Sequence, residues 1–403
     1  MLLTRPAGLS WMSRTKLLNR LKKIKKYYHR LKRGETALMT FCLLLCLFSC
    51  SKKEEYHSRE EVIVEKILPE DITLKTETIV DSLITSMTLE EMVGQCLMPS
   101  IDSKSDSTNL AFLNKSMIDY HIGGIVLLKG TAEGVENIRN ISKESNIPLF
   151  ISIDAEWGLG MRLKDGAIYP KNGKIGSETD ESYLYDYGRN VAKDARDLGI
   201  NMILGPVLDI SAQASGPYGF RSYGDDAEKV SSFGISYAKG LESGGVISVA
   251  KHFPGHGSSL FDSHRKAALI ERNITTLDSI DLKPFKDYIN AGLSAIMVGH
   301  IKAPALDPTG TIASASSDIM TSLLREEMNF KGLILTDAFN MKGADGYTAV
   351  DALKAGADIV ICPSDISKEY KTILCSIEAG KLDVAVIKDR CKRILFYKYL
   401  LEL

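Results

Sequence analysis

The chain lacks the cysteine spacings that build metal sites or disulfide frameworks. Its seven cysteines include no Cys-x-x-Cys pair, which excludes a zinc ribbon or a stapled mini-scaffold in favour of scattered thiols. Cys96, Cys362, Cys375 and Cys391 fall at wide spacings in apolar or helical contexts, where buried thiols are expected. A membrane-spanning run is missing too. The largely apolar stretch Ala37 to Phe48 has twelve residues, enough for the core of an export signal but short of the roughly 20 a transmembrane helix needs. Nor is there an excess of positive charge where a nucleic-acid binder would carry it. Residues 1–49 hold 11 Lys/Arg and one acidic residue, leaving 39 basic against 50 acidic residues in the rest of the chain. An acidic body argues against nucleic acid as a partner.

What remains is an ordinary globular composition, 44% hydrophobic and 25% charged over 403 residues, able to bury a full core. Residues 1–49 form a targeting segment, with basic residues from Arg14 to Arg33 ahead of the apolar run. Residues 50–72, opening Ser51-Lys52-Lys53-Glu54-Glu55, have the composition of a solvated tether. Residues 73–403 are then the folded body.

In that body short apolar runs alternate with amphipathic stretches. Strands are expected at Gln95–Met98, Gly124–Leu128, Leu149–Ile153, Met202–Leu204, Val246–Ala250, Ala295–Val298, Leu333–Thr336 and Ile359–Cys362. Helical patterns lie between them at Glu181–Leu198, Ala227–Glu242, Asp278–Ala291 and Ile319–Met328, and a C-terminal helix from about Val384 to Tyr399 completes the ring. Eight β/α alternations predict an α/β fold of the (β/α)8 TIM-barrel type, a single catalytic domain. Such a barrel places chemistry just past the C-terminal ends of its strands. Those positions hold Asp154, Asp209, Lys251 with His252, His300 and Asp337.

The densest cluster of titratable groups is Lys251-His252-Phe253-Pro254-Gly255-His256-Gly257, followed by Asp262-Ser263-His264. Proline and glycine force a loop there, and that loop ends on an Asp-x-His pair close enough for the carboxylate to orient and charge the imidazole.

These motifs resemble glycoside hydrolase family 3, in particular its short single-barrel β-N-acetylglucosaminidases, over about Leu83 to Leu400. Lys251 to Gly257 with Asp262 to His264 look like the signature loop, and Gly332 to Met341, which contains Asp337, like the nucleophile segment. Gly205-Pro206-Val207-Leu208-Asp209, Arg221-Ser222-Tyr223-Gly224 and Leu323-Leu324-Arg325-Glu326-Glu327 also match in order and spacing. The resemblance implies that Asp337 is the nucleophile and His264 the general acid/base, paired with Asp262. It implies that Asp154, Arg162, Arg221, Lys251 and His252 bind the terminal sugar, with no cofactor and no metal. Two departures stand out. Trp157-Gly158 occupies the place of two glycines, and Ser258-Ser259 replaces Asp-Thr. An indole at that rim either stacks on a sugar or fills space under a loop. At the other end of the chain, Ser49-Cys50 resembles the end of a bacterial lipoprotein signal. Cys50 would then be lipidated and become the N-terminus, anchoring the protein on the face of a membrane in the cell envelope.

The residues suit the implied chemistry. Retaining glycoside hydrolysis needs a nucleophilic carboxylate and a proton donor on either side of the scissile bond. A strand-end aspartate beside cations stays ionised, and a histidine titrates near neutrality without help. The expected function is exo-acting hydrolysis of terminal β-linked N-acetylglucosamine from cell-wall fragments or other glycans. The rival expectations are a β-glucosidase or β-xylosidase, a phosphorolytic variant favoured by the weakly repulsive His-Asp pair, and a non-catalytic glycan-binding lipoprotein. A zinc site on His252, His256, Asp262 and His264 is disfavoured, because the Pro/Gly loop lacks the helical i, i+4 frame of common zinc motifs.

Overall fold

A computed structural model describes residues 70–104, 106–178, 180–211, 219–257, 259 and 266–401. Cys50, Asp262 and His264 lie outside the described residues. The strands are β1 (Leu97–Met98), β2 (Ser100–Ser103), β3 (Gly124–Gly130), β4 (Phe150–Ile153), β5 (Met202–Ile203), β6 (Ile247–Phe253), β7 (Ala268–Leu269), β8 (Ala295–Val298), β9 (Ile301–Lys302), β10 (Leu333–Thr336) and β11 (Val360–Ile361).

A curled parallel sheet runs in the order β10-β8-β6-β5-β4-β3-β2. β1 continues into β2 across Pro99 and pairs on its far side with β11, Leu97 opposite Val360. A parallel bridge between Leu335 and Ile359 joins β11 back to β10. The ring therefore closes as a (β/α)8-type barrel, and the short β7–β9 pair sits outside it. Closure of this kind leaves no free sheet edge.

The strands are buried because helices cover one face and packed side chains fill the other, which explains their near-continuous apolar composition. β4, β6, β8 and β10 are buried along their whole lengths. The surrounding helices start where the sequence supplies oxygen caps. Thr88 and Glu91 form a reciprocal capping box at helix Leu89–Gln95, and Asp226 caps Ala227–Ser243. Helices Ser182–Asp197 and Ala227–Ser243 cross closely at Gly188 and Gly240, where an added Cβ would lie 2.2 Å from a carbonyl of the opposing helix. The C-terminal helix Val384–Leu400 packs on Glu70–Ser86 and Leu89–Gln95. Strand pairing closes the barrel, and that helix also packs on helix Ala349–Ala355, which leads into β11.

Every expected strand is present, with three informative differences. Gln95 belongs to a helix, and the strand instead continues beyond Pro99, an interruption that hid Ser100–Ser103. β6 does not stop before the basic pair but carries Lys251, His252 and Phe253 inside its ladder. The segment from Asp278 is a π-helical turn, Leu277–Asp281, followed by helix Lys283–Asn290, whose Pro284 lies in the first turn. Of the thiols, Cys96, Cys362 and Cys391 are buried as expected, whereas Cys375 is exposed.

Candidate active site

A cavity of about 460 Å³ opens at the C-terminal ends of the strands. Asp154, Glu156, Arg162, Arg221, Lys251, His252 and Asp337 line it together with an apolar wall that includes Val126, Leu128, Met161, Ile361 and Cys362. A larger groove, about 710 Å³, is lined by helix Ser182–Asp197 with Ser243 and Gly244, and by none of the strand-end residues.

The strands deliver these groups by simple geometry. Asp154 and Glu156 follow β4 two residues apart, the spacing that keeps side chains on one face of an extended chain. Lys251 and His252 are adjacent, and strict alternation would send them to opposite faces. The register of β6 against β8 shifts between Lys251 and Phe253, and such an irregularity re-aims a side chain. Both residues reach the cavity.

The cations and carboxylates alternate in a chain. Arg162 donates to Asp154 Oδ2. Lys251 Nζ lies 2.7 Å from Asp154 Oδ1 and 2.9 Å from Glu156 Oε1. Arg221 closes the series with a bidentate grip on Glu156, Nε to Oε2 at 2.9 Å and Nη2 to Oε1 at 2.6 Å. Planar guanidinium and carboxylate match best in that fork geometry. Burial alone would raise both carboxyl groups, but the cations outweigh it. Lys251 and Arg162 hold Asp154 well below the usual carboxylate range, and Arg221 and Lys251 bring Glu156 down to about 2. Burial likewise works against charge on Lys251, and Asp154 and Glu156 overcome it and raise its pKa.

His252 is fixed from below. Its Nδ1 lies 2.6 Å from Asp209 Oδ2, so with the carboxylate ionised the proton sits on Nδ1. Asp209 also accepts the main-chain N–H groups of His252 and His256, at 3.2 and 2.7 Å. One buried carboxylate thereby sets both the imidazole and the turn that follows it. His256 is pushed down to about 4, chiefly by burial, against the opposing pull of Asp209; it is a neutral packing group at physiological pH.

Asp337 follows β10. The main-chain N–H of Ala338 donates to its Oδ1 at 2.8 Å. The carbonyl of the same Ala338 accepts from His300 Nε2 at 3.0 Å, and the other His300 nitrogen lies 2.7 Å from the Ser314 hydroxyl. His300 thus clamps the residue that positions the Asp337 carboxylate. Burial would raise Asp337, but His252, His300, the Ala338 N–H and Lys251 together lower it. It is an ionised carboxylate facing a cavity.

Six expected site residues, Asp154, Arg162, Arg221, Lys251, His252 and Asp337, therefore border one cavity. Glu156 and the supporting pair Asp209 and His300 complete the arrangement. Among the described residues, no group of three His, Cys, Asp or Glu is placed to hold a metal ion. The arrangement can bind a polyhydroxylated ligand through many charged hydrogen-bonding groups and present one carboxylate to it as a nucleophile.

Comparison with known proteins agrees with this architecture. Residues 88–396 match the family described as glycosyl hydrolase family 3 N terminal domain. The chain belongs to that family. It is 31% identical to a protein named beta-hexosaminidase A from Pseudoalteromonas piscicida, over 76% of this chain and 60% of that protein. A beta-hexosaminidase from Nitrosomonas eutropha is also 31% identical, over 60% of this chain and 74% of its own length. Among solved structures, a family 3 beta-N-acetylglucosaminidase from Paenibacillus sp. str. FPU-7 superposes with a TM-score of 0.73 at 31% identity, covering 78% of this chain and 63% of that one. The chain thus spans about three fifths of the length of the first and third of these relatives.

Proposed function

We propose that this protein is a retaining, exo-acting β-N-acetylhexosaminidase that removes terminal β-linked N-acetylglucosamine from cell-wall fragments or other glycans. The observation that supports it best is the ionised Asp337 carboxylate at a cavity that the Arg162–Asp154–Lys251–Glu156–Arg221 chain also lines. The chain carries three cations against two carboxylates. It would hold the hydroxyls of one terminal sugar by charge-assisted hydrogen bonds and present the anomeric carbon to Asp337.

In the first step an Asp337 oxygen bonds to the anomeric carbon as the glycosidic C–O bond breaks, and His264 gives a proton to the departing oxygen. In the second, water attacks the glycosyl ester, His264 takes the proton, and Asp337 leaves as a carboxylate. Asp262 would favour the charged form of His264 before the first step. The names of the relatives support the hexosaminide substrate. The apolar wall of the cavity, which offers no hydrogen bonds to hydroxyls, suits the methyl of an acetamido group.

A panel of nitrophenyl glycosides tests this reading, run with and without phosphate. Hydrolysis of the N-acetylglucosaminide above the glucoside and xyloside is expected, and labelling of Asp337 by a fluorinated glycoside should follow. Silence across the whole panel with no labelling would leave a glycan-binding protein, and acceleration by phosphate would make the enzyme a phosphorylase. His264→Ala should impair substrates with poor leaving groups far more than activated aryl glycosides; equal losses would remove His264 as proton donor.

We also propose that Cys50 carries a lipid and tethers the body to a membrane in the cell envelope. Cys50→Ala should move the protein from the sedimented membrane fraction to the supernatant; continued sedimentation would refute the anchor.

A further inference from the structure

Trp157 and Phe220 occupy matching places in the chain. Trp157 directly follows Glu156, and Phe220 directly precedes Arg221. The bidentate Glu156–Arg221 pair therefore brings the two rings together at the edge of the cavity, which both line. Their centroids are 6.0 Å apart and their planes tilted by 60°. A third segment converges on the same place. Asn172 Nδ2 donates to the Arg221 carbonyl at 2.8 Å, and the Gly173 N–H to the Phe220 carbonyl at 3.1 Å. Those bonds pin the start of helix Asn172–Glu178 beside the rings, and Lys171 extends its ammonium to 4.4 Å from the Phe220 centroid and 5.3 Å from that of Trp157.

Among the described residues, Lys171 differs from the cations that line the cavity. Arg162, Lys251 and Arg221 each hold a carboxylate. Lys171 is exposed and has no carboxylate partner among the described residues; ring faces orient its charge without neutralising it. Two aromatic surfaces for the C–H face of a sugar ring therefore stand next to one uncompensated positive charge.

Their location says which sugar. The floor, with Lys251 and Glu156 nearly sealed from solvent, takes the terminal residue in an exo-acting enzyme. A leaving group that emerges past half-exposed Trp157 and exposed Phe220 would meet both rings and the ammonium. We propose that Trp157, Phe220 and Lys171 form a leaving-group subsite selective for a carboxylate-bearing sugar. This rests on the glycosidase reading above and deepens it.

A matched pair of disaccharides tests it: N-acetylglucosaminyl-β-1,4-glucuronic acid and its carboxyl-reduced glucose counterpart. For the unaltered protein kcat/KM should favour the acid by about three- to fivefold at low salt, the scale of one exposed ion pair. The preference should shrink in about 0.5 M salt as the charge is screened. Lys171→Met should abolish the preference through KM rather than kcat, and Lys171→Glu should invert it. Trp157→Ala should weaken both substrates together. Equal rates on the two disaccharides, a preference that Lys171→Glu leaves intact, or a preference for the neutral sugar would each overturn the subsite while leaving the hydrolase standing. Failure to cleave either disaccharide or any nitrophenyl glycoside would remove the hydrolase reading and the subsite with it.

Discussion

The barrel buries an ion network at each end, and the two differ in what their charges bind. At the mouth, five side chains from Arg162 to Arg221 pair almost entirely with one another around open space. At the opposite end, sealed Asp358 gathers Arg325 and Arg393, with Arg390 at 4.0 Å. There the charges are tied to main chain. Asp358 accepts the Ile334 N–H at 2.8 Å, and Arg325 donates to the carbonyls of Phe330 and Gly332, both at 2.7 Å. Exposure does not separate the two, since Arg221 at 15% and Arg325 at 16% are equally hidden. The partners do. Charges bonded to backbone fasten helices to strands, whereas charges bonded to each other beside a cavity keep groups in place for a ligand. This follows the general division of such barrels into a catalytic top and a stabilising base.

Asp337→Ala should lower kcat by about four orders of magnitude, as expected for loss of a nucleophile, with little change in the unfolding midpoint; a modest loss would move the nucleophile elsewhere. Asp358→Ala should do the reverse, costing about 3–5 kcal/mol in urea unfolding because Arg325 loses its carboxylate partner and Arg390 and Arg393 keep only the exposed Asp389, while the folded fraction keeps its turnover. A drop in turnover per folded molecule would show that the base also tunes the site. Glu156→Gln belongs between them. It keeps shape but removes the charge shared by Arg221 and Lys251, so both activity and stability should fall, the latter by about 1–3 kcal/mol. The Glu156 contribution is fully present above its unfolded value of 4.5 and is lost as pH falls through about 2.

The last effect, on stability alone, has the opposite sign. Lys398 is buried at the base with Gln95 Oε1 2.6 Å away and the Phe150 ring 5.2 Å from its Nζ. Burial pushes its pKa down from 10.5 to about 7. Between those values the unfolded chain binds the proton more readily, so stability should rise with pH across that window. Below about pH 7 the penalty of charging it stays at its maximum. Lys398→Met should stabilise the protein by on the order of 1–3 kcal/mol at pH 7, and the gain should shrink toward pH 10. A gain independent of pH would mean that Lys398 is not the titrating group.

These two networks also mark how far the sequence could be read. The eight strands and the residues at their ends were legible because period and position carry that information. Asp154 was visible, and its partner Glu156 was within reach of the same logic, since residues i and i+2 of an extended segment share a side. Asp209 stood out as a strand-end acid, but its grip on His252 depends on a contact across 43 residues. Nothing local announces the base. Arg325 and Arg393 belong to different helices, and Lys398 has the pattern of an ordinary helix-surface lysine until the fold closes over it. The ladder through Lys251 and His252 is hidden for a related reason: two adjacent basic residues read as the end of a buried strand, and only pairing with β8 keeps this one going.

The seam between β1 and β11 carries a consequence for biosynthesis. Leu97 meets Val360, so a nascent chain must grow 263 residues beyond its first strand before that strand finds its last neighbour. Every shorter intermediate presents two bare backbone rows to its surroundings. Protection from strand-to-strand stickiness arrives only with β11, which makes that strand a guard against aggregation as much as a part of the wall.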